Sequence, residues 1–83
     1  MNKSINITLE FYGRLQSQFS DQPLKHHTVA TNVLSIYLEL CTSHQQPDES
    51  RIIKPIINDA FCDWQDCPKD NDTVGFFPPA SGG

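Results

Sequence analysis

Ile5-Asn6-Ile7-Thr8-Leu9-Glu10-Phe11 alternates apolar and polar side chains without a break. Side chains on a strand point alternately to its two faces, so this pattern predicts a β-strand with one buried face. Tyr12-Gly13-Arg14-Leu15 then begins a loop or short helical turn that runs to Pro23. Leu24 to Ala30 is predicted as a second strand. Because the intervening segment is short, the two strands are expected to pair as an antiparallel hairpin with an enlarged loop.

One main helix is predicted after this hairpin. Thr31 can cap it, and the helix is expected to run from Asn32 to about Thr42 or Ser43. The apolar residues fall at helical spacing and form one wide stripe: Val33, Leu34, Ile36, Tyr37, Leu38, Leu40 and Cys41. A stripe of this kind is typical of a helix that packs one face against a sheet.

Further strand signals follow a polar loop. Arg51 to Ile57 regains apolar character around Pro55. Proline cannot donate to a ladder, so the residue indicates an edge strand or a strand that starts after position 55. Asn58-Asp59 predicts a turn into a short strand from Ala60 to Trp64.

The last predicted strand is Thr73 to Phe77, which follows the turn-rich segment from Asp66 to Asp72. The order strand, strand, helix, strand, short strand, strand predicts an α+β domain with a mixed sheet packed on one main helix. This arrangement resembles the ubiquitin-like β-grasp fold, and the strand order is taken from that analogy. We expect residues 1–77 to form this domain and residues 78–83 to form an extended C-terminal tail.

Composition and charge limit the classes of partner and function that the chain is expected to have. The chain has 83 residues and a formal net charge of −4, which disfavours nucleic acid or an anionic membrane as partner. No apolar stretch approaches the roughly 20 residues that span a bilayer, and residues 1–6 do not form a signal sequence, so a cytoplasmic protein is expected. A domain this small has room for one core. Chemistry is therefore expected on this protein and not in an active site of its own.

A metal centre is not expected. Cys41, Cys62 and Cys67 are odd in number and lack a paired CxxC pattern, so free thiols are favoured over a disulfide or a zinc site. His26 and His27 would point to opposite faces of a strand and would not share an ion. The aspartates near Lys69 have two interpretations, ordinary turn chemistry or an acidic patch that steers a basic partner: Asp59, Asp63, Asp66, Asp70 and Asp72.

Phe76 and Phe77 are consecutive on the last strand and must point to opposite faces. At most one of them can fill the main core if the other face is open. The outward ring is a candidate for partner docking, and a covering loop is the alternative. Arg14 is a second candidate for partner contact, with an ordinary solvated arginine equally compatible.

The tail Pro78-Pro79-Ala80-Ser81-Gly82-Gly83 follows this strand directly. Its prolines fix φ and lack N–H groups, which prevents the strand from continuing into the sheet. Six residues can extend roughly 20 Å, enough to enter the active site of another protein. The two glycines carry no side chain, so the final carboxylate could slide into a narrow pocket. We therefore predict Gly83 as the reactive group.

Three segments of the chain resemble the small subunit of molybdopterin synthase: Ile57-Asn58, the acidic turn and tail from Asp70 to Gly83, and Phe11-Tyr12-Gly13-Arg14-Leu15. There are departures from the family pattern. Gln16 and Ser17 stand where an arginine–glutamate pair is common, Asn71 replaces a glycine, and Ala80 replaces a valine. Asparagine tolerates left-handed backbone, so the acidic turn should survive.

The resemblance implies a sulfur carrier that is not an enzyme on its own. An E1-like adenylating enzyme would use ATP to activate the Gly83 carboxylate, and a sulfur donor would convert it to a thiocarboxylate. The large catalytic subunit of a heterotetrameric molybdopterin synthase would pass the sulfur to a pterin precursor. The carrier would bind no metal and no cofactor of its own. Alternatives remain open: a carrier for thiamin or tungsten-cofactor assembly, a ubiquitin-like protein modifier, or a β-grasp adaptor that uses only its surface.

Overall fold

A computed structural model of the chain describes residues 3–79. Its elements, in chain order, are β1 (Ile5–Phe11), α1 (Leu15–Gln18), β2 (Leu24–Thr28), α2 (Val33–His44), β3 (Lys54–Ile57), β4 (Ala60–Phe61) and β5 (Thr73–Phe77). The five strands form one sheet in the order β2-β1-β5-β3-β4. β5 is parallel to β1 and antiparallel to β3, so the sheet is mixed. The prediction of an α+β domain with one main helix is confirmed.

The hairpin predicted between the first two strands is also confirmed. β1 and β2 pair antiparallel, with Ile5 opposite Thr28 and Leu9 opposite Leu24. β2 ends at Thr28 and not at Ala30, because the Thr28 hydroxyl accepts a hydrogen bond from the Ala30 amide at 2.9 Å. That local turn removes the backbone from the ladder.

The core lies between the sheet and α2. Tyr37 and Phe76 are fully buried within it, and their ring centroids lie 5.5 Å apart. The ring of Trp64 lies 5.2 Å from that of Tyr37 and packs at the edge of the core. The buried apolar residues of the central cluster are Ile7, Leu9, Phe11, Leu15, Val33, Ile36, Tyr37, Leu40, Cys41, Ile53, Val74 and Phe76.

The helix α2 begins one residue later than predicted. Asn32, and not Thr31, is the cap: it keeps an extended backbone, and its side-chain oxygen accepts the Ser35 amide at 2.9 Å. Such a bond satisfies an amide that has no partner within the helix. At the other end Gln45 adopts φ 55°, and its amide donates to Cys41 and Thr42 carbonyls.

The prediction for Pro55 was wrong on both counts. β3 starts at Lys54 and lies inside the sheet, between β5 and β4. Pro55 is tolerated there because β4 has only two residues, paired with Ile56 and Ile57. The Pro55 carbonyl still accepts a hydrogen bond from the Cys62 amide at 3.1 Å. Because proline has no N–H, Pro55 cannot donate a second hydrogen bond to that neighbouring segment. The ladder therefore stops at Pro55, and β4 is shorter than the predicted strand to Trp64.

Asn58 and Asp59 form the predicted turn between β3 and β4, with φ of 50° and 70°. Two consecutive positive φ values match the two-residue hairpin turn, whose twist suits the flanking strands. None of the helices within residues 3–79 is long and apolar enough to cross a membrane.

Candidate functional site

The root of the predicted tail leaves the sheet beside the end of β1. The Tyr12 amide donates to the Phe76 carbonyl at 3.2 Å, one residue beyond β1. Pro78 is half-buried and Pro79 is exposed. Gly13, at φ 56°, faces Pro78 so closely that a Cβ at position 13 would lie 2.8 Å from the proline Cγ. The first tail residue is thus held against the turn that follows β1.

The predicted reactive residue and its neighbours, Gly83, Gly82, Ser81 and Ala80, lie outside the described residues 3–79. Their proposed roles remain predictions. The structure describes only Pro78 and Pro79 of the tail, which fix where it begins.

Phe76 and Phe77 point to opposite faces of β5, as the strand period predicts. Phe76 is fully buried in the core, whereas Phe77 is 37% exposed on the sheet face that points away from α2. Of the pair proposed for partner binding, Phe77 is therefore the ring that another protein can reach. It lies one residue before the tail.

Three aromatic side chains gather on that outer face, and we call them the aromatic patch: Tyr12, Phe61 and Phe77. Tyr12 stacks on Phe77 with ring centroids 4.4 Å apart and planes 7° from parallel. Phe61 lies 5.8 Å from Phe77 and is 71% exposed. Aromatic rings are enriched where protein interfaces bury their cores. The patch is thus an apolar surface directly beside the tail.

The ring of Tyr12 is fixed in place from two sides. Gly75 lies beneath it, and a Cβ there would come within 3.1 Å of the Tyr12 ring carbon Cε2. The Tyr12 hydroxyl donates to Glu10 Oε1 at 3.1 Å. Burial, and then the neighbouring Glu10 carboxylate, raise the pKa of the Tyr12 hydroxyl. The absence of a side chain at Gly75 of β5 therefore allows the Tyr12 ring to lie close against the sheet.

Sequence reasoning did not identify Tyr12 and Phe61 as site residues. Tyr12 continues the outward series Thr8, Glu10 of β1, and that extended alternation was a signal for it. Phe61 had no such signal. It reaches the patch only because β4 returns beside β3 and places Phe61 opposite Ile56.

Arg14 lies at the start of α1, next to Gly13. Its guanidinium donates to Glu49 Oε1 at 3.1 Å and to Gln18 Oε1 at 3.3 Å. The contact with Glu49 links the turn after β1 to the loop after α2. A role for Arg14 in partner contact remains a prediction, and a partner would compete with Glu49 for the guanidinium.

The aspartates near Lys69 mostly serve turns. Asp70 accepts the Asn6 amide at 2.7 Å, and Asp66 accepts the Asp63 amide at 3.0 Å. Asp72 accepts the Lys69 amide at 2.8 Å and the Asn58 side chain at 2.9 Å. Turn chemistry is therefore the interpretation that the contacts support.

Asn71 and Asp59 complete this region. Asn71 has φ 73°, so asparagine adopts the left-handed conformation expected of it at this position. Asp59 differs from the other aspartates. Within residues 3–79 its carboxylate accepts no hydrogen bond, and it lies at the edge of the aromatic patch.

The cysteines are free thiols, with Cys41 buried, Cys62 half-buried and Cys67 exposed. His26 bonds to Glu39 on the helix side of the sheet, and His27 bonds to Asn6 on the other, so the two rings diverge as predicted. No group of three or more His, Cys, Asp or Glu side chains within the described part of the chain is arranged to hold a metal ion.

Comparison with known proteins gives a fold but no sequence family. No protein-family model matches the chain, and the comparison with curated proteins gives no match. Among solved structures, the small archaeal modifier protein 1 of Methanosarcina acetivorans is 19% identical with a TM-score of 0.77, over 98% of this chain and 99% of that chain.

Two further solved structures are similar. A Pyrococcus furiosus protein assigned as molybdopterin converting factor subunit 1 is 19% identical with a TM-score of 0.73, over 92% of this chain and 99% of that one. A chain of the BexX/CysO complex of Amycolatopsis orientalis is 20% identical with a TM-score of 0.64, over 93% of this chain and 99% of that one. At the level of the fold, these neighbours agree with the resemblance found in the sequence. The chain is a ubiquitin-like β-grasp domain.

Proposed function

We propose that the chain is a sulfur carrier whose Gly83 carboxylate is activated and converted to a thiocarboxylate. The observation that carries the proposal is the junction of β5 and the tail. A central strand ends at the aromatic patch, and the next residue, Pro78, is held against Gly13 while Pro79 is exposed. A tail that starts from a fixed root beside an apolar docking surface is suited to delivery into a partner's active site.

The chemistry requires a second protein. The Gly83 carboxylate oxygen attacks the α-phosphorus of ATP, and pyrophosphate leaves, which yields an acyl-adenylate. A sulfur nucleophile then attacks the carbonyl carbon, and the C–O bond to AMP breaks with its electron pair on AMP. A carboxylate is a poor electrophile, whereas its mixed anhydride has a good leaving group, and glycine leaves the attacking sulfur a clear approach.

The carrier contributes presentation and not catalysis. ATP is bound by the activating enzyme, so the carrier needs no nucleotide or metal site of its own. Three partners are expected: an E1-like adenylating enzyme, a sulfur donor, and the large catalytic subunit of molybdopterin synthase. The Pyrococcus furiosus neighbour supports the pterin pathway. The BexX/CysO structure supports binding of this kind of domain to a second protein.

The direct test is the intact mass of the chain after incubation with an E1-like adenylating enzyme, ATP and hydrosulfide. We expect the mass increase of one oxygen-to-sulfur exchange, located at Gly83 by fragmentation. Two matched variants serve as controls, deletion of Gly83 and extension by one residue after it. Both should abolish the exchange. Neither should lower thermal stability, because the core that stabilises the domain lies before Pro78. An unmodified terminus under these conditions would contradict the proposal.

A second candidate function is protein modification, and the neighbour described as a small archaeal modifier protein favours it. The same acyl-adenylate could be attacked by the amine of a target lysine, which would join Gly83 to that lysine by an isopeptide bond. Cell extract supplied with ATP separates the two candidates. A modifier gives a ladder of covalent conjugates that persists in denaturant, and a carrier dedicated to sulfur transfer gives only the thiocarboxylate.

A further inference from the structure

A small pocket opens in the middle of the aromatic patch. It has a volume of about 190 Å³ and is lined by Tyr12, Ile56, Asp59, Phe61 and Phe77. Water occupies about 30 Å³ per molecule in the liquid. The pocket could therefore hold several water molecules or, in their place, one long side chain. Small-molecule sites usually take about 300 to 1,000 Å³, which makes a cofactor too large for it.

Three of the five residues that line the pocket are aromatic. The Tyr12 and Phe77 rings stack within 4.4 Å of one another, and the absence of a side chain at Gly75 seats the Tyr12 ring against the sheet. Phe61 forms the opposite side and is the most exposed of the three rings. Phe77 lies on β5, Phe61 lies on β4 and Tyr12 lies one residue beyond β1, so the order of the sheet brings the three rings together.

The pocket is also negative. The Asp59 carboxylate lies at its rim and accepts no hydrogen bond from any residue between 3 and 79. Glu10 holds the Tyr12 hydroxyl at 3.1 Å and adds a second carboxylate beside the same ring. Burial raises the pKa of the Tyr12 hydroxyl most, followed by Glu10 and then by the charge of Asp59. Both carboxylates therefore lie close enough to the Tyr12 hydroxyl to affect its ionisation. Aromatic faces attract cations, and the two neighbouring carboxylates add to that attraction.

We propose that this pocket receives one arginine side chain of a protein partner. A planar guanidinium can stack on an aromatic face and pair with a carboxylate at the same time, whereas an ammonium is a compact, strongly hydrated charge. The inference deepens the proposed function, since it names the side chain by which a partner recognises the carrier. Arginine is also enriched among the residues that dominate protein interfaces.

One positive charge of the chain itself bears on the site. Lys54 lies directly opposite Phe77 in the ladder and so shares its face, although it does not line the pocket. Its charge should repel an incoming guanidinium. Removing that charge is expected to strengthen binding, an effect of opposite sign to that of the pocket variants.

The test uses the chain alone and needs no activating enzyme. N-acetyl-arginine amide is titrated into the isotope-labelled chain and followed by NMR, with N-acetyl-citrulline amide as a neutral control of the same shape. We expect weak, saturable shifts centred on Tyr12, Asp59, Phe61 and Phe77 with the arginine probe only. Equal shifts with citrulline would overturn the cation assignment, and shifts spread over the other acidic turns would overturn the pocket.

Three variants sharpen the result. Asp59→Asn and Phe61→Ala should each weaken binding about two- to fivefold, the range expected for an exposed ion pair or cation–π contact. Lys54→Gln should strengthen it. If thiocarboxylate forms normally but arginine does not bind, this inference falls and the proposed function stands. If arginine binds but no thiocarboxylate forms, the pocket remains an arginine site and the proposed function falls.

Discussion

Pro78 occupies the space that a side chain at position 13 would need. A Cβ on Gly13 would lie 2.8 Å from Cγ of Pro78, closer than real Cβ contacts come. Gly13 also has φ 56°, a conformation that costs most residues about 1–2 kcal/mol. One glycine therefore shapes the turn after β1 and seats the root of the tail.

Replacing Gly13 tests this contact. We expect Gly13→Ala to lower the free energy of unfolding by about 1–2 kcal/mol through the backbone conformation, and also to displace Pro78. Gly13→Asn separates the two effects, because asparagine tolerates positive φ but still brings a Cβ. Urea denaturation measures the free energy of unfolding. The NMR chemical shift of the Phe77 amide reports whether Pro78, the first residue of the tail, has moved. Unchanged shifts around Phe77 in both variants would show that the contact does not position the tail.

Phe76 and Phe77 provide a matched pair for stability. Phe76 is fully buried, so Phe76→Ala should cost about 3–5 kcal/mol of unfolding free energy. Phe77 is 37% exposed. Phe77→Ala should cost much less, and it should weaken capture of the chain by the adenylating enzyme proposed above. Urea denaturation and a pull-down of the two variants check both statements. A large loss of stability in Phe77→Ala would mean that the ring is structural and not a docking residue.

Tyr37 makes stability sensitive to alkaline pH. The ring is fully buried, and its hydroxyl accepts the Glu49 amide at 3.0 Å. Burial raises the pKa of the hydroxyl above its ordinary 10.0. The folded state thus holds this proton more tightly than the unfolded state. The contribution of this proton to the free energy of unfolding is complete below pH 10.0 and is lost as the pH rises through the higher pKa of the folded state.

Tyr37→Phe should therefore flatten the fall of stability above pH 10.0. At neutral pH the same variant should cost about 1–3 kcal/mol, because the Glu49 amide loses its acceptor. Urea midpoints across this pH range measure both effects. A variant that keeps the full alkaline loss would place its origin in another group.

The three thiols should react with iodoacetamide in a fixed order. Cys67 is exposed and should react first. Burial, followed by the charges of Asp66 and Asp63, raises the pKa of Cys62, so little thiolate is present at neutral pH. Burial also raises the pKa of Cys41, which should react last. Peptide mapping over time gives the order. Fast labelling of Cys41 would reveal local opening near the end of α2.

Local periodicity was sufficient for the elements that make the core. Alternation predicted β1 and the spacing from Val33 to Cys41 predicted α2, because a buried face imposes its period on the sequence. The turn-rich segment before Thr73 predicted where β5 begins. The sequence alone did not identify the N-cap residue of α2. Thr31 and Asn32 are both good capping residues, and only the backbone geometry selects Asn32.

The errors arose where distant segments meet. Pro55 suggested an edge strand, but β4 is so short that the missing N–H costs the ladder little. The aromatic patch combines Tyr12, one residue beyond β1, with Phe61 of β4, and only the order of the sheet brings these two segments close together. The Gly13 contact with Pro78 likewise joins two segments that are 65 residues apart in the sequence. No local pattern encodes such neighbours.

The shortness of β4 has one more consequence. A long open strand at the margin of a sheet invites other chains to add to it, which leads to aggregation. Here one margin, β4, has only two residues. The other margin, β2, carries Lys25 and His26-His27 at its centre. Both margins of the sheet therefore disfavour the addition of further chains and fibrillar self-association.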